Sequence, residues 1–200
     1  MMRAANIITA LICAAMAGCA SAPKENFYVL SSSAPIERTQ IVASMPTIRV
    51  VVGPVTIPEI VDRPQIVTRV APNQVAILEQ QRWAESLKTE IPRVVAENLA
   101  ALLSTPRVST YTQSGASDAD YRVTLEVQRF ESKLNEAVTI EALWAIRRNA
   151  GEKPKSGHSV VREPVASPGY DGLVTAHSHA LASISRDIAE AIRAASATPR

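Results

Sequence analysis

Few side chains in this 200-residue chain are able to do chemistry. There are two cysteines, Cys13 and Cys19, and three histidines, His158, His177 and His179. His177 and His179 are the one close pair, and they fall in a segment of helical period. Residues two apart on a helix point ~200° apart, so both imidazoles cannot hold one metal; an i, i+4 spacing would be required. The pair therefore reads as solvated or capping histidines, and His158 as a lone loop residue. The chain has no Gly-rich phosphate loop, no Gly-x-Ser-x-Gly and no cysteine placed as a catalytic nucleophile. Asp62, Glu79, Glu85 and Glu126 are scattered among basic residues, as on a solvated surface. No catalytic, cofactor-binding or metal-ligating residue is assigned, and the chain is not expected to be an enzyme.

Cys19 differs. Arg3 supplies one positive charge, and residues 4–17 form a short, mostly apolar run, too short to span a bilayer comfortably. The run ends in Met16-Ala17-Gly18-Cys19, which resembles the bacterial lipobox. An apolar residue and two small ones let a peptidase groove close on the backbone, and the cysteine thiolate takes a diacylglycerol thioether. An ordinary signal peptide with an incidental Cys19 is the alternative. The short polar stretch Ala20-Ser21-Ala22-Pro23-Lys24-Glu25-Asn26 favours lipidation, because it reads as a tether. One acyl chain anchors only marginally, but a lipoprotein cysteine carries two or three. Ala rather than Asp at position 20 points, by the sorting rule of enteric-type bacteria, to the outer membrane.

The expected organisation is a signal peptide over 1–18, a lipidated tether over 19–26, one domain over 27–195 and a flexible C-terminus over 196–200. Removing 1–18 leaves enough chain for one real core. The balance of 21 basic against 19 acidic residues contains no like-charge block, so neither nucleic acid nor anionic lipid is an evident partner. With Cys13 in the signal and Cys19 in the anchor, no cysteine remains for a disulfide or thiolate metal site.

The periodicities predict an α+β domain, a mostly antiparallel or mixed sheet with two main helices packed on it. Phe27 to Leu30 is a brief β-type run, and Ser31 to Pro46 a loop. Thr47 to Val52 reads as a strand ending near Gly53-Pro54. Gln65 to Val70 and Gln74 to Leu78 form a hairpin around Ala71-Pro72-Asn73. A helix is predicted from near Arg82, with Trp83, Leu87, Ile91, Val94, Val95, Asn98/Leu99 and Leu102 on its apolar face and Pro92 kinking or dividing it. Arg107 to Thr112 is a strand and Gln113 to Ala119 a loop. Tyr121, Val123, Leu125 and Val127 alternate with polar residues, and the phase break at Arg129-Phe130 fits a bulge. Val138 to Ile146 alternates likewise and completes a long hairpin. Gly151 to Gly157 reads as a basic flexible turn and Ser159 to Glu163 as a further strand. From Asp171 a second helix places Leu173, Ala176/His177, Ala180/Leu181, Ile184, Ile188 and Ile192 on one face.

Trp83 and Trp144 read as core anchors, with lipid or partner contact as the alternative. Gly53 to Arg69 holds Pro54, Pro58 and Pro64 among apolar and charged residues. Its two readings are a structural crossover and an edge held for a partner, the latter using Ile57, Pro58, Ile60, Arg63 and Arg69.

Several blocks in order carry a resemblance. They are Phe27-Tyr28-Val29-Leu30, Val50 to Pro58, Asp62-Arg63-Pro64-Gln65-Ile66-Val67-Thr68-Arg69, Arg82-Trp83-Ala84-Glu85-Ser86-Leu87, Glu97-Asn98-Leu99-Ala100 and Tyr170 to Ser178. Together with Tyr121-Arg122-Val123, Arg129-Phe130 and Ala142-Leu143-Trp144 they resemble the PqiC-type auxiliary lipoproteins of ABC-type transport systems. The resemblance implies a non-catalytic outer-membrane lipoprotein facing the periplasm, with a diacylglycerol and an N-acyl chain on Cys19 and no other cofactor. It implies an MCE-domain periplasmic protein as partner, in a conduit for lipids between membranes. A lipid carrier and a lipoprotein chaperone or pilotin are the rival readings, and self-association is left open.

Overall fold

In the computed structural model, residues 24–33, 48–111, 118–148 and 153–197 are described. The expected signal segment, Cys19 and most of the expected tether, most of the 31–46 loop, and residues 112–117, 149–152 and 198–200 lie outside the described residues.

The alternation in Tyr121 to Val127 produces the centre of the fold. Strands β1 (Asn26–Tyr28), β2 (Val50–Thr56), β3 (Gln65–Ala71) and β4 (Gln74–Trp83) precede helix α1 (Leu87–Leu102). Strands β5 (Val108–Thr110), β6 (Tyr121–Lys133), β7 (Ala137–Arg148) and β8 (Lys155–Pro164) follow, then helix α2 (Gly169–Ser196). The expected α+β class with two main helices is present, and the strands divide into two mixed sheets. One has the order β5-β2-β6-β7-β8 and the other β1-β4-β3. β6, β7 and β8 are antiparallel, whereas β2 is parallel to both β5 and β6.

Inward residues of β6 and β7 (Val123, Leu125, Val127, Ile140, Ala142 and Ile146) are buried under the helices. Helix α1 packs on β2 and β5, α2 on β7 and β8, and the helices pack on each other. Each fully buried Leu or Ile contributes roughly 1.5–3 kcal/mol, so the apolar stripes of the helices, rather than helix propensity, hold them in place. The predicted bulge is present: the register shifts between Val127 and Arg129, which lets Phe130 turn inward. In the β6–β7 turn, Asn135 takes a φ of 58°, and its side chain accepts a hydrogen bond from the Gly169 amide at 2.8 Å. The turn thus satisfies the first free amide of α2, whose N-cap residue Pro168 makes no side-chain cap bond.

Several elements differ from the sequence reading. β2 does not stop at Gly53-Pro54 but pairs Val55 with Leu125 and Thr56 with Glu126 beyond a register shift. Proline is tolerated there because β5 pairs only with Val50 to Val52, leaving that side of β2 without a neighbour. Arg82 and Trp83 belong to β4, not to the first helix. Trp83 pairs with Tyr28 of β1, and the helix begins after Ser86, whose side chain accepts from the Lys88 amide at 3.2 Å. The four-residue step from Trp83 to Leu87 imitates helical phase across a strand end. Helix α1 is not divided, for it runs unbroken through Pro92. In its second turn, proline there deprives only the exposed Lys88 carbonyl of a donor. Lys155 to Gly157 are strand, not turn. Gly157 pairs with Trp144, and a Cβ at Gly157 would stand 2.1 Å from the Trp144 ring.

Phe130→Ala should lower stability by about 3–5 kcal/mol in urea denaturation, as for aromatic truncation in a core. Leu143→Ala, on the open face of the sheet, should change it by less than about 0.5–1 kcal/mol.

Candidate anchoring and contact surfaces

The best-built polar arrangement holds the chain just after β1. Helix α1 places Glu90 and Arg93 one turn apart, and Glu90 is only 2% exposed. Its carboxylate accepts the Leu30 amide at 2.9 Å and pairs with Arg93, whose Nη2 donates to the Leu30 carbonyl at 2.8 Å. One residue on, the Ser31 amide donates to Ser178 Oγ of α2 at 3.1 Å. Asn98 Oδ1 accepts from the Ser32 hydroxyl at 2.7 Å and the Ser33 amide at 3.1 Å, while its Nδ2 donates to Ser185 Oγ at 3.4 Å. Leu30 itself is fully buried. A buried carboxylate is tolerated when paired and hydrogen-bonded, and here each bond ends on residues 30–33 or their support. The segment leading from the N-terminus is thereby locked across both helices.

Sequence reasoning did not single out these residues. An i, i+3 Glu–Arg pair reads as a solvated face. The available signal was Asn98 on an otherwise apolar stripe.

His177 is a correction: it is neither solvated nor a cap. It is fully buried, stacked on Phe130 at 4.1 Å and 3° between planes, edge-on to Trp83, and bonded through Nε2 to Ser132 Oγ at 2.8 Å. Burial pushes its pKa down to about 3. Nδ1 has no partner, which favours the neutral ring with the proton on Nε2, since a lone pair is cheaper to leave unpaired than an N–H. The Ser–His contact has the outline of a nucleophile and base, but both side chains are sealed in the core and no carboxylate orients Nδ1. His158 is also corrected: it lies on β8, with Nε2 3.0 Å from Glu141, and His179 Nδ1 stands 3.5 Å from Glu163. Trp83 is a core residue; Trp144 is half-buried and donates to Ser159, which in turn donates to Asp187.

Of the five residues read as an edge for a partner, three come together. Pro58, Ile60 and Arg69 line a cleft of about 290 Å³ with Val75 and Phe130. Ile60 sits on the 3-10 turn Glu59–Val61 and is 46% exposed. Ile57 instead packs on the core, and Arg63 is half-buried with its Nε unpartnered. On the other side of the hairpin, a groove of about 1030 Å³ runs between β3–β4 and the β6–β7 turn. Its cations are matched: Arg69 with Glu131 at 2.5 Å, Arg129 with Glu141 at 3.2 Å and Lys133 with Glu136 at 3.5 Å.

The family model described as the ABC-type transport auxiliary lipoprotein component matches residues 28–189. The chain belongs to this family. As a member of it, the protein is a transport auxiliary component of PqiC type, in a family of envelope-associated lipoproteins. No curated protein matches. A crystal structure of a protein described only as uncharacterized superposes with a TM-score of 0.67 at 20% identity, covering 85% of this chain and 99% of its own. Protein XCC0632 from Xanthomonas campestris superposes with a TM-score of 0.61 at 18% identity, covering 82% and 92%. These two share the fold of the auxiliary lipoprotein. Among its described residues, no helix is long and apolar enough to cross a membrane.

The buried imidazole has a pH consequence. The folded pKa of about 3 lies below the ordinary value of 6.5, so the unfolded chain binds the proton more readily. The stability from a neutral His177 is complete above pH 6.5 and is lost progressively as pH falls toward 3. The loss attributable to it at pH 5 is about 2 kcal/mol, and urea titrations should find that increment absent in His177→Leu. Separately, Glu90→Ala should cost about 1.5–3 kcal/mol locally, read as faster hydrogen exchange at the Leu30 amide with the sheet amides unchanged.

Proposed function

We propose that the auxiliary lipoprotein is held at the periplasmic face of the outer membrane by acyl chains on Cys19, and receives there the end of a lipid conduit built by an MCE-domain protein. The family match over residues 28–189 carries the reading, and the lipobox-like Met16 to Cys19 supplies its anchor. On this reading the protein works without catalysis. Cys19 is its one residue with a covalent role, and residues 19–26 are the tether to the domain. The network around Leu30 supports such a design. A tether attached to a loosely held terminus would transmit no orientation, whereas residues 30–33 are bonded to α1 and α2.

The contact surface we assign to the partner is the cleft bearing Ile60, Pro58 and Arg69. Ile60 is an exposed apolar side chain beside a half-buried, ion-paired arginine, the combination of anchor and polar rim found in protein interfaces.

Cys19→Ser should move the chain from the membrane to the soluble periplasmic fraction after cell fractionation. With the anchor intact and both proteins at native levels, detergent extracts should yield the MCE-domain protein with the wild-type chain. Ile60→Asp should lower that recovery about tenfold, equivalent to about 1.4 kcal/mol. Failure of any MCE-domain protein to co-purify with the wild-type chain would overturn the docking role.

A further inference from the structure

The β3–β4 hairpin ends in an unusual stretch. Val70-Ala71-Pro72-Asn73-Gln74-Val75-Ala76-Ile77-Leu78 contains no charge, although it forms the tip of an exposed hairpin. Val70 is 58% exposed, and Val75 and Ile77 are exposed as well. They do not share a face. Arg69 is opposite Val75 and Val67 opposite Ile77, so Val75 and Ile77 project on the side of the small cleft. Val70 lines the large groove on the other side with Ala76 and Leu78. A protein partner seated on one face would leave the other apolar face in water. A medium that surrounds the tip covers both.

The register of β1 indicates that medium. β1 is parallel to β4, with Asn26 opposite Gln81, so the chain enters β1 from the side of the β3–β4 turn. Going back along β4 from Gln81 to Gln74 is seven residues, about 23 Å at ~3.3 Å each. The stretch from Cys19 to Asn26 is also seven residues and reaches at most about 25 Å. A tether continuing in the direction from which the chain enters β1 is therefore long enough to set acyl chains on Cys19 level with the hairpin tip. Leu134, in the turn across the large groove, adds an exposed apolar side chain at this end.

We infer that the tip of the β3–β4 hairpin inserts into the interfacial region of the same lipid bilayer that holds the anchor. The inference rests on the proposed acylation of Cys19. Uncharged turn residues suit the headgroup boundary, where an apolar element sinks about 5–10 Å and a charged side chain would be costly. The hairpin gives the domain a second point of attachment, and two points fix its tilt where a lone tether would leave it free to swing. Arg69 and Glu79 bracket the uncharged stretch and mark its depth limit.

The acylated, full mature chain allows a direct test, because its one cysteine is Cys19 and introduced thiols label specifically. Val70→Cys, Val75→Cys and, as a control of matched exposure on the far strand β8, Val160→Cys would each carry a polarity-sensitive fluorophore. The proteins are reconstituted in vesicles of phosphatidylethanolamine and phosphatidylglycerol containing a phospholipid with a nitroxide high on its acyl chain. Labels at 70 and 75 should shift to the blue and be quenched at least about twofold more than the label at 160, as an interfacial depth requires. Mass spectrometry of the N-terminal peptide is read in the same samples. An acylated peptide with equal quenching at 70, 75 and 160 overturns the hairpin contact alone. A peptide without acyl mass overturns the anchoring, and the inference with it.

Discussion

The carboxylate of Glu90, nearly removed from water, is the constraint on which the placement of the N-terminal segment depends. An ionised carboxylate in that position needs a countercharge and hydrogen bonds, and it finds Arg93 on its own helix and the Leu30 amide on another segment. Arg93 in turn donates to the Leu30 carbonyl, so both polar groups of one buried residue are satisfied by one helical turn. Asn98 repeats the device two turns on and adds α2 through Ser185. Because these bonds reach residues 30–33 from both helices, the short strand before them is held against β4 in parallel register despite having only three residues.

Parallel pairing sets the side from which the chain enters the domain. Had β1 run antiparallel to β4, the incoming chain would have emerged beside Trp83, away from the hairpin. With the observed direction the chain enters β1 from the side of the β3–β4 turn, and the uncharged hairpin tip and the β6–β7 turn line one groove. The helices, packed on the opposite face of the five-stranded sheet from Glu126 and Glu141, leave that sheet face open and charged. The buried Ser132–His177 contact is enclosed by Phe130 and Trp83 and held neutral.

Much of the fold could be read locally. The period-two run of Tyr121 to Val127, the bulge before Phe130, the hairpin at Pro72-Asn73 and the apolar stripe of α2 are patterns among neighbouring residues, and each element formed as they imply. Misreadings arose where two periodicities overlap or a tertiary neighbour decides. Trp83 and Leu87 are four apart across a strand end, and Gly157 signalled a turn when it was making room for Trp144. His177 lies on a stripe that tolerates a ring of intermediate polarity, and only the stacking of Phe130 shows that the ring is dry. Of the five residues read as an edge for a partner, Ile57 turned inward because β2 continues far enough to carry it onto the core.

The amino-acid sequence alone determined the family and the α+β class, because ordered motif blocks and periodicity are properties of the chain itself. Tertiary structure decided the division into two sheets, the neutrality of His177, the lock on residues 30–33 and the side from which the chain enters β1. Each of these depends on burial or pairing between segments far apart in the chain, as with Asn26 and Gln81. No local pattern records which partner will be present. The parallel register of β1 is of this kind, for it alone fixes the side from which the chain enters the sheet.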